Sequence, residues 1–343
     1  MFNSTNRRFI QAVLVVGTGL VNANTVSADE RAPRSASTEL RRLLPWFPAD
    51  TETLVVAQSF SLPRRSDRET ASKSANVMPA LAMGEFAGLD FDRHFEPFIG
   101  RKILIAVNGM RRSQPVGSMG DFYAEGCSVV VFERDLGQAA VTWTSDLRKN
   151  AKEIRKIAGR EIFCLSPRES RARRHPSVYF LRLAPNTILC ATHDDYLREL
   201  LNHIDNAPRA RAFPDSFPQW ATVDRSAPVW MIREIPGNSL RVIEGVTWTW
   251  ANDQARVVYL PRGSSAGMVL GRVRRLWEAR TAAVGPEETQ LSESLRKAIR
   301  CELGKDGRVT VSFKTEGLED GVRFMLFLGL FVSQIEDGNV GPL

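Results

Sequence analysis

The stretch from Cys127 to Ile204 constrains the fold more than any other part of the chain. It opens on CSVVVF, an unbroken apolar run whose β-branched residues suit a strand buried in a sheet. From Gly137 to Ala158 the apolar residues Trp143, Leu147, Ala151, Ile154 and Ala158 recur at every third or fourth position, which predicts a helix with one buried face. EIFCLS predicts a second strand, and VYFLRLAPNTILCAT two more, joined by a turn at Pro185-Asn186. Thr192 stands where it would cap a last helix, with Asp195 three residues on and Leu197, Leu200, Leu201 and Ile204 on the buried side. The order β-α-β-β-β-α over roughly eighty residues implies an α+β fold of mainly antiparallel sheets with helices packed on one face.

The flanking sequence extends the pattern. TELRRLLPWFPADTETLVVAQSF reads as a short helix, a Pro-bounded turn and a strand from Thr53 to Gln58, and a helix then leads into a β-run from Lys102 to Val107. NGMRRSQPVGSMGD reads as a polar loop. The Pro-rich NAPRARAFPDSFPQW marks a boundary, so that residues 39–207 and 208–343 form two α+β subdomains of loosely similar order. The second has a strand APVWMIRE and a hairpin VTWTWANDQARVVYL turning near Asn252-Asp253. Helices are expected from Gly267 to about Ala282 and from about Glu288 to Leu303, then the strand RVTVSFKT and a last apolar helix. That last run, Phe324 to Val332, is about half the length a membrane span needs and reads as a buried helix.

The N-terminal sequence speaks to destination. Arg7 and Arg8 precede an apolar run from Phe9 to Val21, and Val26-Ser27-Ala28 supplies small residues for cleavage, the layout of a secretory signal. Export with cleavage after Ala28 is expected, to the periplasm or the cell exterior, with 29–38 a disordered start to the mature chain; a retained anchor is the alternative. Without residues 1–28 the formal charge of +7 loses Arg7 and Arg8 and becomes +5. A surplus of that size suits a soluble basic surface or an anionic envelope polymer. The absence of zinc-finger, helix-turn-helix or RNA-binding signatures argues against nucleic acid.

Several motifs invite chemistry. Gly263-Ser264-Ser265-Ala266-Gly267 matches G-x-S-x-G, the turn that presents a nucleophilic serine, and it lies between a β-run and a helix. However, the acid and histidine of that hydrolase fold follow the serine, whereas His94, His175, His193 and His203 all precede Ser265. The simpler reading has Ser264 or Ser265 capping a helix that buries Val269, Val273, Leu276 and Trp277. GLDFDRHFE sets Asp90, Asp92, His94 and Glu96 at alternate positions, a pattern better explained by an amphipathic segment with buried phenylalanines than by a metal site. His193-Asp194-Asp195 is expected in a first helical turn, where the acids suit the dipole and the histidine is exposed. Cys127, Cys164, Cys190 and Cys301 lack metal-ligand spacing, and their apolar surroundings fit buried thiols as well as disulfides. The loop from Arg168 to His175 carries Arg168, Arg171, Arg173 and Arg174 against the single acid Glu169, which makes it the best anion-binding segment. Trp248 and Trp250 share a face and could stack on sugar, although core packing explains them more simply. No cofactor is indicated.

One family resembles the Phe98–Ile204 half of the chain, which contains FIGRKILIAV, CSVVVFERD, GREIFCLS and VYFLRLAPNTILCATHDDYLRELLNHI. The match lies in Gly159-Arg160-Glu161-Ile162 and in Cys190-Ala191-Thr192 followed by Asp194-Asp195. It is similar to uncharacterised exported bacterial proteins built from a repeated β-α-β-β-β-α unit. That resemblance implies an exported, non-enzymatic α+β protein with no active residues to carry over. The expectation is therefore a non-catalytic binding or structural module of the cell envelope. The rivals are an exported serine hydrolase using Ser265 and a binder of anionic polymer through the arginine loop; the partner is otherwise unknown, another exported protein being the further option.

Overall fold

A computed structural model of the chain describes residues 35–62, 95–112, 124–166, 177–206, 210–235, 242–251, 254–282 and 299–314. One compact unit extends to Pro214 and a second begins at Asp215. Both mix helices with antiparallel strands, as the α+β expectation holds.

In the first unit α1 (Ala36–Leu43) is followed by β1 (Thr53–Ser61), β2 (Lys102–Arg112) and β3 (Ala124–Phe132). Then come α2 (Gln138–Asn150), β4 (Glu153–Ile157), β5 (Arg160–Leu165), β6 (Val178–Ala184), β7 (Thr187–Ala191) and α3 (Asp194–Asp205). The strands lie in the order β1-β2-β3-β7-β6-β5-β4. Ser35 caps α1 by accepting the Thr38 N–H at 3.2 Å, so the helix begins inside the segment expected to be disordered up to residue 38.

The continuous apolar runs are the reason this sheet is internal. Val129, Val130, Val131 and Phe132 in β3, and every residue of β7, are buried, as strands covered on both faces must be. Strand alternation shows what covers each face. Phe132 and Phe180 look toward α2, where Trp143 meets Phe98 at 5.3 Å and Phe180 at 6.1 Å between ring centroids. Cys127 and its neighbour Gly109 look the other way, toward Phe47 and toward Tyr196 of α3. The two helices expected together thus divide between the faces.

Three differences from the sequence expectation have local causes. The helix predicted to run from Gly137 to Ala158 stops at Asn150, and its last apolar positions enter the hairpin β4–β5, which leaves Ile154 exposed. Ala158 and Gly159 take φ of 50° and 73° between the paired residues Ile157 and Arg160, a two-residue turn whose twist matches the strands. β2 runs through Asn108-Gly109-Met110, expected as loop, pairing Gly109 with Leu54 and Cys127. The helix after Thr192 begins at Asp194, and Thr192 does not cap it. Its hydroxyl accepts the Gly126 N–H at 3.0 Å instead, clamping the end of β7 to β3.

The second unit contains β8 (Val229–Glu234), β9 (Ile243–Ala251), β10 (Gln254–Pro261), α4 (Ala266–Ala282), β11 (Ile299–Leu303) and β12 (Val309–Lys314). Their order is β8-β9-β10-β12-β11. Ala251 pairs with Gln254, as the predicted hairpin requires. The segment expected as a helix down to Leu303 ends as a strand, because Gly304 N–H donates to the Arg308 carbonyl at 2.8 Å and Gly307, at φ 77°, turns β11 back onto β12. Val269 and Val273 of α4 are fully buried, in line with the face predicted for them; the side chains of Leu276 and Trp277 lie outside the described residues. The signal-like residues 1–28 and the run Phe324–Val332 also lie outside them. No helix among the described residues is long and apolar enough to cross a membrane.

Candidate functional site

The G-x-S-x-G segment forms a tight link from β10 to α4, with Gly263 at φ 56°. Ser265 stands just before the helix and its carbonyl accepts the Val269 N–H at 2.9 Å. Its hydroxyl lies 2.8 Å from both the Val242 and the Arg262 carbonyl oxygens. A hydroxyl has one proton, and here it is directed at backbone acceptors, so Ser265 ties the chain before β9 to the start of α4. Among the described residues no helix N–H donates to the Ser265 hydroxyl, which makes this cross-link where a cap was expected of Ser264 or Ser265. Among the described residues no histidine hydrogen-bonds to it. His193 and His203 belong to the first unit, and His94 and His175 lie outside the described residues.

The best-assembled polar cluster is centred on a residue to which the sequence drew no attention. Arg111, at the end of β2, has a side chain only 16% exposed. Its Nε donates to Glu125 of β3 at 2.7 Å, and its Nη1 lies 2.8 Å from both Asp50 and Glu199 of α3. The guanidinium also covers the Tyr196 ring at 5.1 Å. Tyr196 is buried and shares a hydrogen bond of 2.8 Å with Thr51, beside Asp50 in the turn before β1. Burial works against the arginine charge, but bonds to Glu125 and Glu199 and the charge of Asp50 outweigh it, holding the guanidinium above its ordinary pKa. Burial pushes the Tyr196 phenol well up, partly opposed by the Thr51 bond. One arginine therefore joins a turn, two strands and a helix, the work of a five-donor fork.

His193 borders this cluster. It is half-buried, contrary to the exposure expected of it, and Nδ1 lies 3.0 Å from Thr192 Oγ1. Burial lowers its pKa, with Glu125 pulling the other way and Arg111 adding to the fall. Asp194 is held by Arg198 at 2.9 Å and Arg155 at 3.4 Å.

Other sequence candidates fall out as follows. Cys127, Cys164 and Cys190 are buried, no disulfide joins the four cysteines, and desolvation pushes the Cys127 and Cys190 thiols far up. Such thiols are poor nucleophiles. Trp248 and Trp250 face the core at 2% and 3% exposure, which leaves no platform for a sugar. Glu96 sits in a short 3₁₀ turn, Glu96–Phe98, while Asp90, Asp92 and His94 lie outside the described residues, as do Arg168, Arg171, Arg173 and Arg174. Among the described residues no group of three or more histidines, cysteines or acids is placed to hold a metal.

No protein-family model matches the chain, and no curated protein matches it. Among solved structures it is similar to crystal form I of TP0453, a Treponema protein, with 10% identity, a TM-score of 0.41, and coverage of 82% of this chain and 97% of that one. Crystal form IV of the same protein matches at 8% identity and a TM-score of 0.40, covering 81% and 95%.

Proposed function

We propose that the chain is an exported, non-catalytic binding or structural module of the cell envelope, akin to the uncharacterised exported bacterial proteins its first half resembles. The observation that best supports the reading is that the Ser265 hydroxyl lies 2.8 Å from both the Val242 and the Arg262 carbonyl oxygens, a pattern that suits a structural link better than a nucleophile. The buried, high-pKa thiols support it further. Export rests on the Arg7–Ala28 pattern, and mass spectrometry of secreted protein should find Asp29 at the N-terminus.

The rival hydrolase is tested by a fluorophosphonate probe. The module reading expects no labelling, with Ser265→Ala costing only the ~1 kcal/mol of a lost hydrogen bond. Labelling that disappears in Ser265→Ala would establish the hydrolase in its place. A second reading, binding of anionic polymer, draws on the four arginines between Arg168 and His175. It expects retention on a sulfonated resin that falls when Arg168, Arg171, Arg173 and Arg174 become serine, and unchanged retention would end it.

A further inference from the structure

The strands β10, β12 and β11 of the second unit, neighbours in that order, have two faces of opposite character. Burial alternates along β12: Val309, Val311 and Phe313 are buried, while Thr310 and Ser312 are half-buried and Lys314 is exposed. Successive side chains of a strand point to opposite faces, so the second set shares the outer one. On that face the register sets Arg300 of β11 and Arg256 of β10 on either side of Ser312, and Thr249 of β9 continues the row beyond Arg256.

Neighbouring strands lie about 4.8 Å apart and rise about 3.4 Å per residue. The two arginine backbones therefore stand roughly 10 Å apart across Ser312, and Lys314 follows about 7 Å along β12. All three cations are exposed, and their long stems let the charged heads converge over the serine.

What sets these cations apart is that no acid answers them. Among the described residues Arg256, Arg300 and Lys314 have no hydrogen bond or ion pair from their side chains. Arg308, on the same face two residues before Thr310, is by contrast matched by Asp306 at 3.5 Å. In the first unit the strand arginines Arg111, Arg155, Arg160 and Arg182 each meet an acid within 3.5 Å. Glu302, opposite Thr310, is the one acid that these three strands place on the outer face among the described residues. Like charges gathered without a counter-charge repel one another, and an anion seated among them relieves that repulsion.

We infer that this row binds a phosphate group, held between the guanidinium forks of Arg256 and Arg300, with Lys314 as a third cation and the Ser312 hydroxyl donating from below. A tetrahedral dianion suits the row better than a planar carboxylate, since it offers oxygens to both forks and to the hydroxyl at once. Exposed ion pairs are individually weak, which places the Kd for inorganic phosphate on the order of 1 mM. The site lies far in sequence from Arg168–Arg174, and it requires neither export nor the role assigned to Ser265.

Nuclear magnetic resonance of the whole chain, labelled with nitrogen-15 at arginine and titrated with inorganic phosphate at low, constant ionic strength, tests the site. The Nε–H signals that vanish in Arg256→Gln and Arg300→Gln should shift together with one Kd. Each substitution should raise that Kd about threefold and the pair about tenfold, whereas Glu302→Gln, which removes the opposing charge, should lower it about threefold. Acetate should bind at least about tenfold more weakly than phosphate. All these side chains are exposed, and circular dichroism checks that each variant folds. Shifts no larger than chloride produces, or acetate binding as tight as that of phosphate, would overturn the site. So would phosphate binding that persists in the double variant and is lost when Arg168, Arg171, Arg173 and Arg174 become serine.

Discussion

Replacing Gly109 with alanine should destabilise the first unit by about 3 kcal/mol, through steric overlap in the middle of a strand. Gly109 is buried between Leu54 and Cys127, on the side where Phe47 and Tyr196 pack. An added Cβ would lie 2.6 Å from Phe47 Cε1 and 2.7 Å from Tyr196 Oη, and nearer still to Phe47 Cδ1. Carbon atoms pack comfortably at about 3.5–4.0 Å, so the ring would have to retreat by roughly an ångström or more. Little slack is present. Phe47 is wholly buried and its backbone is held by bonds to Leu44 and Ala212, each 3.3 Å. Tyr196 is equally buried and is tethered through its hydroxyl to Thr51 at 2.8 Å. Overpacking ordinarily costs about 1–3 kcal/mol, and two fixed rings put this site at the upper end. Urea unfolding followed by circular dichroism would show a lower midpoint at an unchanged slope. Phe47→Leu removes part of the obstruction, so the double variant should be less destabilised than the sum of the singles, by about 1 kcal/mol. A Gly109→Ala protein within about 0.5 kcal/mol of the original, or strict additivity with Phe47→Leu, would refute the close-approach argument.

Arg111→Met should cost about 2 kcal/mol, because it strands three carboxylates. The figure sits below that for a fully buried pair because Asp50 and Glu199 are 59% and 40% exposed and solvent screens them; an unchanged urea midpoint would contradict the hub. His193 should make stability depend on pH in one direction. Burial holds its folded pKa below the ordinary 6.5, so the unfolded chain binds more protons between the two values. The stability it contributes is complete above 6.5, declines as pH falls from there toward the folded pKa, and levels off below it. His193→Gln should flatten that part of the curve of urea midpoint against pH, and an undiminished slope would assign the effect elsewhere.

Much of the fold was legible because its cues are local. CSVVVF, TLVVA and TILCA are strands in almost any context, since β-branched runs bounded by turn residues have few other ways to be buried. The failures came where one cue had two meanings. Asn108-Gly109 opens a stretch that reads as a polar loop, yet the glycine serves as a gap for Phe47 and Tyr196 inside β2. Ile154 and Ala158 continue a helical spacing, yet the backbone turned at Ala158-Gly159 claims them for a hairpin. The site was less legible still. Ser265 was visible as a motif, but its role depends on the Val242 carbonyl, 23 residues away in the chain. Arg111 gave no signal, because its partners Asp50, Glu125 and Glu199 come from distant segments.

The sequence by itself determined the class of the fold: apolar runs and periodicities that demand antiparallel strands and amphipathic helices. Periodicity says that a face is to be buried and leaves open which neighbour buries it. Only the tertiary structure decided that α2 and α3 take opposite faces of one sheet, that Arg111 gathers three acids, and that Ser265 holds backbone. The physical reason is that the meaning of a polar side chain depends on distance and desolvation, which are set by chain segments brought together in folding.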